Sequence, residues 1–386
     1  MSPLSSRERV MMAIEHKKPD QVPLIFGADL TTGIQARVYQ QLKASLNIEC
    51  DDRYLYDWHE LGAIDPDESV LQRLGSDSRG VHDRFPKSTY ERNRLRAPHS
   101  PHIDDWGVGS PEVSPGSFYP GIHPLKNATT VEDIENYKFW PDMQDPDRVQ
   151  GVAERAAKLA DENQYAIFGS PWLMFPLERA TQLQGMETCF MTLAQNPDFA
   201  VALLNHISGL CKTHMANFLN AAGDNLDIVV IGDDLGTQES LLISPRMYRK
   251  LIKPIHADYI SFIKMHTRAK IYFHTDGDVF PLLDDLVEIG VDILNPIQTS
   301  AGRMSDIKTL KQRFGSQLTF CGGVDTQRLL PSGTPGEIRD EIKRLIEILG
   351  PDGGYLLASV HSITNDVPAE NILAMTDAVK EFGKYS

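Results

Sequence analysis

The sequence predicts an α/β protein: a (β/α)8 barrel with an N-terminal extension and one long insertion. From Tyr165 to the C-terminus, short apolar runs alternate with longer amphipathic stretches. Runs that are apolar almost throughout are typical of parallel strands covered on both faces, and regular strand–helix alternation produces a parallel sheet. No GxGxxG motif follows a strand, which argues against the alternative, an open doubly wound sheet that binds a dinucleotide.

Six strands are predicted in this C-terminal part, each from a short run rich in β-branched or aromatic residues. They span residues 165–168, 226–231, 270–274, 291–295, 318–321 and 355–359. The helical spacing of apolar residues predicts helices over 245–267, 280–289 and 338–349. Two upstream runs, 22–26 and 79–82, bring the number of strands to the eight that close a barrel.

The segment from about Pro86 to Asp145 is rich in Pro, Gly, Asp and His and shows little periodicity. It is predicted to be a long insertion (residues 86–145) near the mouth of the barrel, the end at which the strands have their carboxyl ends. One barrel domain is therefore expected to span residues 1–386.

Composition argues against several classes of protein. Asp and Glu number 53 against 38 Lys and Arg, which gives a formal net charge of −15 at pH 7. This balance argues against binding to nucleic acid or to an anionic membrane surface, since both need clustered basic residues. No apolar run approaches the roughly 20 residues that span a bilayer, and the apolar stretch near the N-terminus is too short for a signal peptide. The four cysteines are scattered, as in a reducing compartment, so a cytoplasmic location is expected.

Polar side chains follow most of the predicted strands. Barrel enzymes carry their chemistry at the carboxyl ends of the strands, so these side chains are the candidates for a site. The candidates are Asp233, Asp234, His274, Asp276, Asn295, Gln298 and His361. Asp and Asn also favour loops because their side chains form turns, so position alone does not assign a function.

A metal site is one interpretation of these residues. His274 and Asp276 are two residues apart at one strand end, and side chains two apart in an extended chain point the same way. His361, at another strand end, is the candidate third ligand, because two His and one carboxylate form a catalytic zinc set with an open coordination position. The alternative is a hydrogen-bonded His-Thr-Asp turn that holds no metal.

The other candidates also have two readings. Asp233 and Asp234 are expected to act as general acid or base, or else to cap a helix that follows soon after. Asn295 and Gln298 are expected to orient a substrate. Trp172, which follows Gly-Ser-Pro, either forms an apolar wall of the substrate pocket or packs at the barrel rim.

Several segments together resemble those of the uroporphyrinogen decarboxylase superfamily, which contains the tetrapyrrole decarboxylase and corrinoid-linked, zinc-dependent methyltransferases. The opening RERVMMAIEHKKPDQVPLIFG resembles the family start, and GSPW at 169–172 resembles the family's GAPW segment. IGDDLGTQESLLISPRMYRKLIKP, FHTDGD, CGGVD and HSITNDVPAENI resemble four further family segments. The resemblance covers nearly the whole chain apart from Pro86 to Asp145, and it implies a TIM barrel.

The resemblance leaves a choice between two activities. The decarboxylase carries an Arg-containing segment just after its first strand, whereas the segment here contains Asp29 and has no Arg before Arg37. An acidic mouth repels a substrate with many carboxylates. Tetrapyrrole decarboxylation is therefore disfavoured, and Asp29 is expected to contact a different substrate.

In the methyltransferase branch, the resemblance implies zinc ligands from an HxC pair and a later Cys. His274 matches the first His, Asp276 replaces the Cys of the pair, and His361 stands at the later Cys position. A His/Asp/His set is harder and more Lewis acidic than a thiolate-rich set, so it suits polarising an ether or alcohol oxygen.

The predicted function is therefore metal-assisted transfer of a methyl group from a small, preferably methoxylated, substrate to a corrinoid on a partner protein. Zinc or another divalent metal is the expected cofactor, and the family resemblance also favours a homodimer. One alternative is a metal-free decarboxylase (lyase) of a tetrapyrrole or other carboxylated substrate, with Asp233 and His361 as hydrogen-bond partners. The other alternative is a binding protein on a barrel scaffold that turns nothing over.

Overall fold

A sheet of seven parallel strands forms the centre of the fold in the part of the chain that the computed structural model describes. The described residues are 4–55, 62–97, 100–114, 117–171 and 176–385. The strands are β1 (Ser78–His82), β2 (Ala166–Ser170), β3 (Ile228–Gly232), β4 (Lys270–His274), β5 (Ile293–Ile297), β6 (Thr319–Val324) and β7 (Tyr355–Ser359). Each strand pairs in parallel with the next one in the chain, so all carboxyl ends lie at one end of the curled sheet, as in the predicted TIM barrel.

The position between β7 and β1 is taken by residues 22–26. On one side, the N–H of Ile25 donates to the carbonyl of Leu357 in β7. On the other side, the N–H of Asp77 donates to the carbonyl of Leu24, and the N–H of Leu24 donates to the Asp77 carboxylate. The segment therefore occupies the eighth position of the barrel, but it is not the regular strand that the sequence predicts, because a side chain replaces part of the backbone ladder.

Helix α1 (Ser6–Ile14), the N-terminal extension, covers the amino-terminal end of the barrel. A capping box at Ser5 starts the helix. Its buried face, formed by Val10, Ala13 and Ile14, packs into one cluster with apolar side chains from the inside of the barrel. The opposite end of the barrel, where the strands have their carboxyl ends, is left for the site.

The remaining helices lie around the barrel or within residues 86–145. They are α2 (Ala36–Leu46), α3 (Glu68–Leu74), α4 (Lys87–Arg94), α5 (Val131–Glu135), α6 (Val152–Glu162), α7 (Pro176–Gln184), α8 (Met186–Gln195), α9 (Pro197–Ala222), α10 (Pro245–Met247), α11 (Lys253–His266), α12 (Leu283–Glu288), α13 (Ile307–Phe314), α14 (Leu329–Ser332), α15 (Pro335–Leu349) and α16 (Ala369–Phe382). None of the helices in the described ranges combines the length and the apolar character that crossing a bilayer requires.

Most predicted strands and helices are present with shifted ends. The strands predicted over 270–274 and 355–359 coincide with β4 and β7, and the other four C-terminal strands begin one or two residues later than predicted. The single helix predicted over 245–267 is wrong in one respect, because a π-helical turn (Tyr248–Ile252) separates α10 from α11. Pro254 has no N–H to donate, so a regular helical hydrogen bond cannot form at that point.

Residues 86–145, predicted to have little periodicity, contain the short helices α4 and α5 and small antiparallel strand pairs. Two strands of two residues each, His102–Ile103 and Gly109–Ser110, are too short to show an alternation in sequence. The segment packs on α7, where the carboxylate of Asp104 lies 2.7 Å from the guanidinium of Arg179. Because α7 follows β2, this segment lies beside the mouth of the barrel.

Candidate active site and metal centre

The three predicted metal ligands converge at the mouth of the barrel. His274 is the last residue of β4, Asp276 lies two residues further on, and His361 lies two residues beyond β7. One potential ligand atom of each lies within 4.8 Å of those of the other two. The Nε2 atom of His274 is 3.9 Å from Oδ1 of Asp276, and the two imidazole ring centres are 5.5 Å apart. The arrangement is compact enough for one ion to contact all three side chains.

Asn295 orients the first of these ligands. Its Oδ1 lies 2.6 Å from Nδ1 of His274; because an amide oxygen accepts, Nδ1 is the donor of this bond, and Nε2 is the ring nitrogen that is left to bind a metal. The hydroxyl of Thr31 lies 3.4 Å from the same Asn295 oxygen and also donates to Asp29. Partners of this kind fix the ring orientation of histidines that bind metals.

The loop that carries Asp276 is held from two sides. The N–H of Asp276 donates to Oδ1 of Asp234 at 2.9 Å, and the N–H of Gly277 donates to Oε1 of Gln298 at 2.6 Å. Gly277 has φ +91°, and a Cβ there would lie 2.4 Å from the backbone of a neighbouring loop, so the position requires glycine. Gln298 and Asn295, which the sequence suggests as substrate ligands, thus both hold parts of the ligand set.

The residues present fit a divalent metal. Oδ1 of Asp276 is buried and has no hydrogen-bond partner among the described residues. A buried carboxylate oxygen without a partner is costly unless a cation or a proton compensates it. Two imidazoles and one carboxylate are ligands that zinc and other divalent first-row metals accept.

The two histidines have different electrostatic environments. Burial acts to lower the pKa of His274, but the carboxylates of Asp276 and Asp234 outweigh burial and raise it above its ordinary value. Burial, together with the nearby His274, lowers the pKa of His361. The carboxylates therefore make this end of the barrel favourable for a cation.

Asp233 has contacts that differ from those of its neighbour Asp234. It is fully buried, and its carboxylate accepts the N–H of Glu178 at 2.6 Å and the N–H of Leu177 at 3.1 Å. Nε2 of the buried His256 lies 3.0 Å from the same carboxylate, and burial raises the pKa of Asp233. Asp233 therefore caps the first turn of α7 and not α10, the helix that follows it in the chain.

The remaining sequence candidates are Asp29 and Trp172. Asp29 is buried, and its carboxylate accepts hydrogen bonds from the hydroxyls of Thr31 and Thr32 and from the N–H of Thr32. These bonds close the turn that follows residues 22–26. Trp172 lies outside the described residues.

Two groups at the mouth are absent from the sequence candidates. Burial, followed by the carboxylates of Asp234, Asp233 and Asp276, raises the pKa of Glu178 well above its ordinary value. His82 ends β1, and both of its ring nitrogens are buried without a hydrogen-bond partner among the described residues. The position of His82 at the end of a strand could have identified it as a candidate from the sequence. Glu178 lies in a helix, and nothing in its local sequence distinguishes it.

A parallel barrel with imidazole and carboxylate groups converging at the carboxyl ends of its strands is the arrangement found in TIM-barrel enzymes. The chain belongs to the uroporphyrinogen decarboxylase (URO-D) family, whose model matches residues 118–382. This match confirms the superfamily resemblance inferred from the sequence.

Named relatives include enzymes of two kinds. The uroporphyrinogen decarboxylase of Coxiella burnetii (strain RSA 493 / Nine Mile phase I) is 25% identical over 228 residues, which cover 55% of this chain and 56% of that protein. The methylated-thiol–coenzyme M methyltransferase of Methanosarcina mazei is 23% identical over 254 residues, which cover 66% of this chain and 63% of that protein. The chain therefore spans about half the length of the decarboxylases that it matches and somewhat more of the methyltransferase.

Among solved structures, a methyltransferase from Methanosarcina mazei superposes on this chain with a TM-score of 0.65. The match covers 98% of this chain and 99% of the other at 18% identity. At this level of identity the likeness confirms the barrel fold.

Proposed function

We propose that this protein is a methyltransferase that moves a methyl group from a small methylated, preferably methoxylated, substrate to a corrinoid carried by a partner protein. Zinc or another divalent metal would be held by His274, Asp276 and His361. The observation that carries the proposal is the convergence of these three side chains, with ligand atoms within 4.8 Å of one another, at the mouth. A relative named as a methyltransferase supports the reaction class.

The ligand set favours a methyl group bound to oxygen. Asp276 and His361 stand where the methyltransferase resemblance implies Cys, so no thiolate softens the site. When bound, a divalent metal with these ligands supplies Lewis acidity toward an ether oxygen. A methyl group on a polarised oxygen is more open to attack by a nucleophile.

The protein's own contribution is to keep the ligands and the substrate in place. Asn295 keeps Nε2 of His274 free and directed, and Gln298 fixes the loop that carries Asp276. Both roles are compatible with contact between these amides and a substrate. Holding the methyl donor against the acceptor in this way lowers the entropic barrier of the transfer.

Four further residues have proposed roles around this centre. Asp234, which accepts the N–H of Asp276, is proposed to act on the substrate as a general acid or base. Asp233 is proposed to support catalysis by holding α7 against the strand ends. Asp29 and Trp172 are proposed to shape the substrate pocket.

A metal-free lyase that acts on a tetrapyrrole or other carboxylated substrate is the second candidate, because several relatives are named uroporphyrinogen decarboxylase. Asp233 and His361 would then serve as hydrogen-bond partners of the substrate. Charge argues against this candidate, because Asp276 at the mouth repels carboxylates and the nearby Arg179 is already paired with Asp104.

The domain organisation, cellular location and oligomeric state of the protein are part of the same proposal. The whole chain is proposed to form one domain, to act in the cytoplasm and to form a homodimer. The cysteines Cys50, Cys189, Cys211 and Cys321 form no disulfide, which is the ordinary state in a reducing compartment.

The test follows methyl transfer from methoxybenzenes to free reduced cobalamin by the change in cobalamin absorbance. The native protein loaded with zinc is compared with His274→Ala and with the control His266→Ala, which changes an exposed histidine of α11. Transfer by the native protein and the control, and none by His274→Ala with its fold intact, is expected. Full activity of His274→Ala, decarboxylation without metal, or ligand binding without turnover would each contradict the proposal.

A further inference from the structure

The ring of His82 lies inside the barrel, at its mouth. Gly80 of β1 pairs with Phe168 of β2, and Phe168 belongs to the apolar cluster inside the barrel. Paired residues of neighbouring strands point to the same face of a sheet, as do residues two apart in one strand, so His82 also points inward. A Cβ at position 80 would collide with Nε2 of His82, which shows that the ring folds over Gly80.

His274 faces the same space from another side of the mouth. Tyr272 lies in the interior cluster, and its ring centre is 5.9 Å from that of Phe168. These two rings form a floor, and His274, two residues beyond Tyr272, points inward above it. The strands between β1 and β4 end in Ser170 and Gly232, so no large side chain at these two strand ends separates the imidazoles.

A turn on the opposite wall of the mouth links His82 to the metal ligands. The carbonyl oxygen of Ala28 lies 2.5 Å from the Cβ position that Nε2 of His82 crowds. The carboxylate of the next residue, Asp29, accepts the hydroxyl of Thr31 at 3.1 Å. Oγ1 of Thr31 in turn lies 3.4 Å from Oδ1 of Asn295, the oxygen that orients the first metal ligand. His82 therefore belongs to the wall of the site that the metal ligands face.

Both ring nitrogens of His82 are buried, and neither has a hydrogen-bond partner among the described residues. A buried donor or acceptor without a partner costs free energy, so most such groups in proteins are paired. A ligand that enters the mouth and supplies the partner removes this cost on binding. The unpaired imidazole is therefore suited to recognise a polar group of a ligand.

The charges around His82 indicate which polar group fits. Burial, which outweighs the carboxylates of Asp65, Asp29 and Asp83, lowers the pKa of His82, and the guanidinium of Arg155 adds to this effect. A neutral imidazole offers one donor and one acceptor, and a hydroxyl group can pair with either. Three carboxylates against one guanidinium disfavour a carboxylate beside the ring.

We propose that His82 determines substrate specificity by a hydrogen bond to a hydroxyl group of the substrate, while the metal ligands face the methoxy group. The inference rests on the methyl transfer proposed above and adds a second polar contact to it. The substrate class is then a small compound that carries both a methoxy and a hydroxyl group. A site built to hydrogen-bond a hydroxyl discriminates against the analogue without one, because buried polar atoms are then left unpaired.

Binding without turnover tests this contact directly. In the absence of cobalamin no methyl group is transferred, so isothermal titration calorimetry on the protein with added zinc measures affinity alone. The probes are methoxybenzene and the three isomers of methoxyphenol. The native protein is expected to bind one of the isomers at least about tenfold more tightly than methoxybenzene. His82→Phe keeps an aromatic ring without a hydrogen-bonding atom and is expected to lose this preference.

Further measurements distinguish recognition from a merely structural role. His82→Gln keeps a donor and an acceptor and is expected to retain part of the preference. The control His266→Phe changes an exposed histidine and is expected to retain all of it. Because a phenyl ring needs no hydrogen-bond partner, His82→Phe is expected to unfold at the urea concentration that unfolds the native protein, or at a higher one.

The outcomes separate this inference from the proposed function. Equal weakening of methoxybenzene and methoxyphenol binding in His82→Phe, or unfolding of this variant at lower urea, would overturn the role of His82. A native protein that shows no preference, or that binds none of the probes, would overturn it as well. A native protein that prefers a methoxyphenol through His82 but transfers no methyl group to reduced cobalamin would contradict the proposed function alone.

Discussion

Replacing Asp233 with alanine tests the structural role that its contacts define. The side chain is fully buried and accepts two N–H groups from the first turn of α7, and Nε2 of His256 lies 3.0 Å away. Loss of a helix cap costs about 1 kcal/mol, and leaving a buried polar group such as His256 unpaired costs about 1–3 kcal/mol. Asp233→Ala is therefore expected to lower the free energy of unfolding by about 2–4 kcal/mol.

Urea-induced unfolding, followed by circular dichroism, measures this change. Asp234→Ala is the matched control, because Asp234 is only partly buried and its oxygen accepts one N–H, that of Asp276. Losing that bond costs about 1 kcal/mol, so the unfolding midpoint should move much less than in Asp233→Ala. Equal shifts in the two variants, or an unchanged midpoint in Asp233→Ala, would refute the assignment of Asp233 as the cap of α7.

Three further predictions follow from other contacts. Asn295→Ala removes the partner that fixes the His274 ring and is expected to weaken zinc binding about 10–100-fold in a competition titration with a chelator; unchanged affinity would contradict this. Asp104→Ala leaves the buried Arg179 without its carboxylate partner and is expected to lower the free energy of unfolding, measured in urea, by about 3–5 kcal/mol. An unchanged free energy of unfolding would contradict the stabilising role of this ion pair. Burial lowers the pKa of His102 from 6.5 to about 4, so the unfolded chain binds the proton more tightly. The stability that His102 contributes is thus complete above pH 6.5 and falls as the pH drops toward about 4. His102→Gln is expected to lose this part of the pH dependence when unfolding midpoints are compared across that range, and an unaltered slope would contradict it.

The parallel strands were predictable because each is covered on both faces and is therefore apolar almost throughout. The closure of the barrel was less predictable. Residues 22–26 have the apolar content of a strand, yet part of their hydrogen bonding is to the side chains of Ser76 and Asp77. These partners are brought into place by the closure of the barrel, which no local pattern specifies.

The metal-ligand set could be predicted in part. His274 and Asp276 share one strand end, so their spacing indicates a common direction. His361 lies at the end of a strand that is not adjacent to β4, and only the curvature of the sheet brings it within reach of the other two.

The residue roles that the sequence did not indicate depend on contacts between distant parts of the chain. Asp233 caps a helix that lies 55 residues earlier in the chain, so its local sequence suggests a cap for the wrong helix. The oxygen of Asn295 meets His274 from an adjacent strand. Glu178 is distinguished by its electrostatic interaction with carboxylates at two strand ends, whereas the sequence of its own helix shows only amphipathic spacing.

The most direct test of the account is the zinc content per chain after purification without chelator and addition of zinc. The comparison uses the native protein, His274→Ala, and the exposed-histidine control His266→Ala. Near-stoichiometric zinc in the native protein and the control, lost in His274→Ala, is the predicted result. A native protein that binds no divalent metal, even after metals are added back, would contradict the metal centre and favour the metal-free lyase.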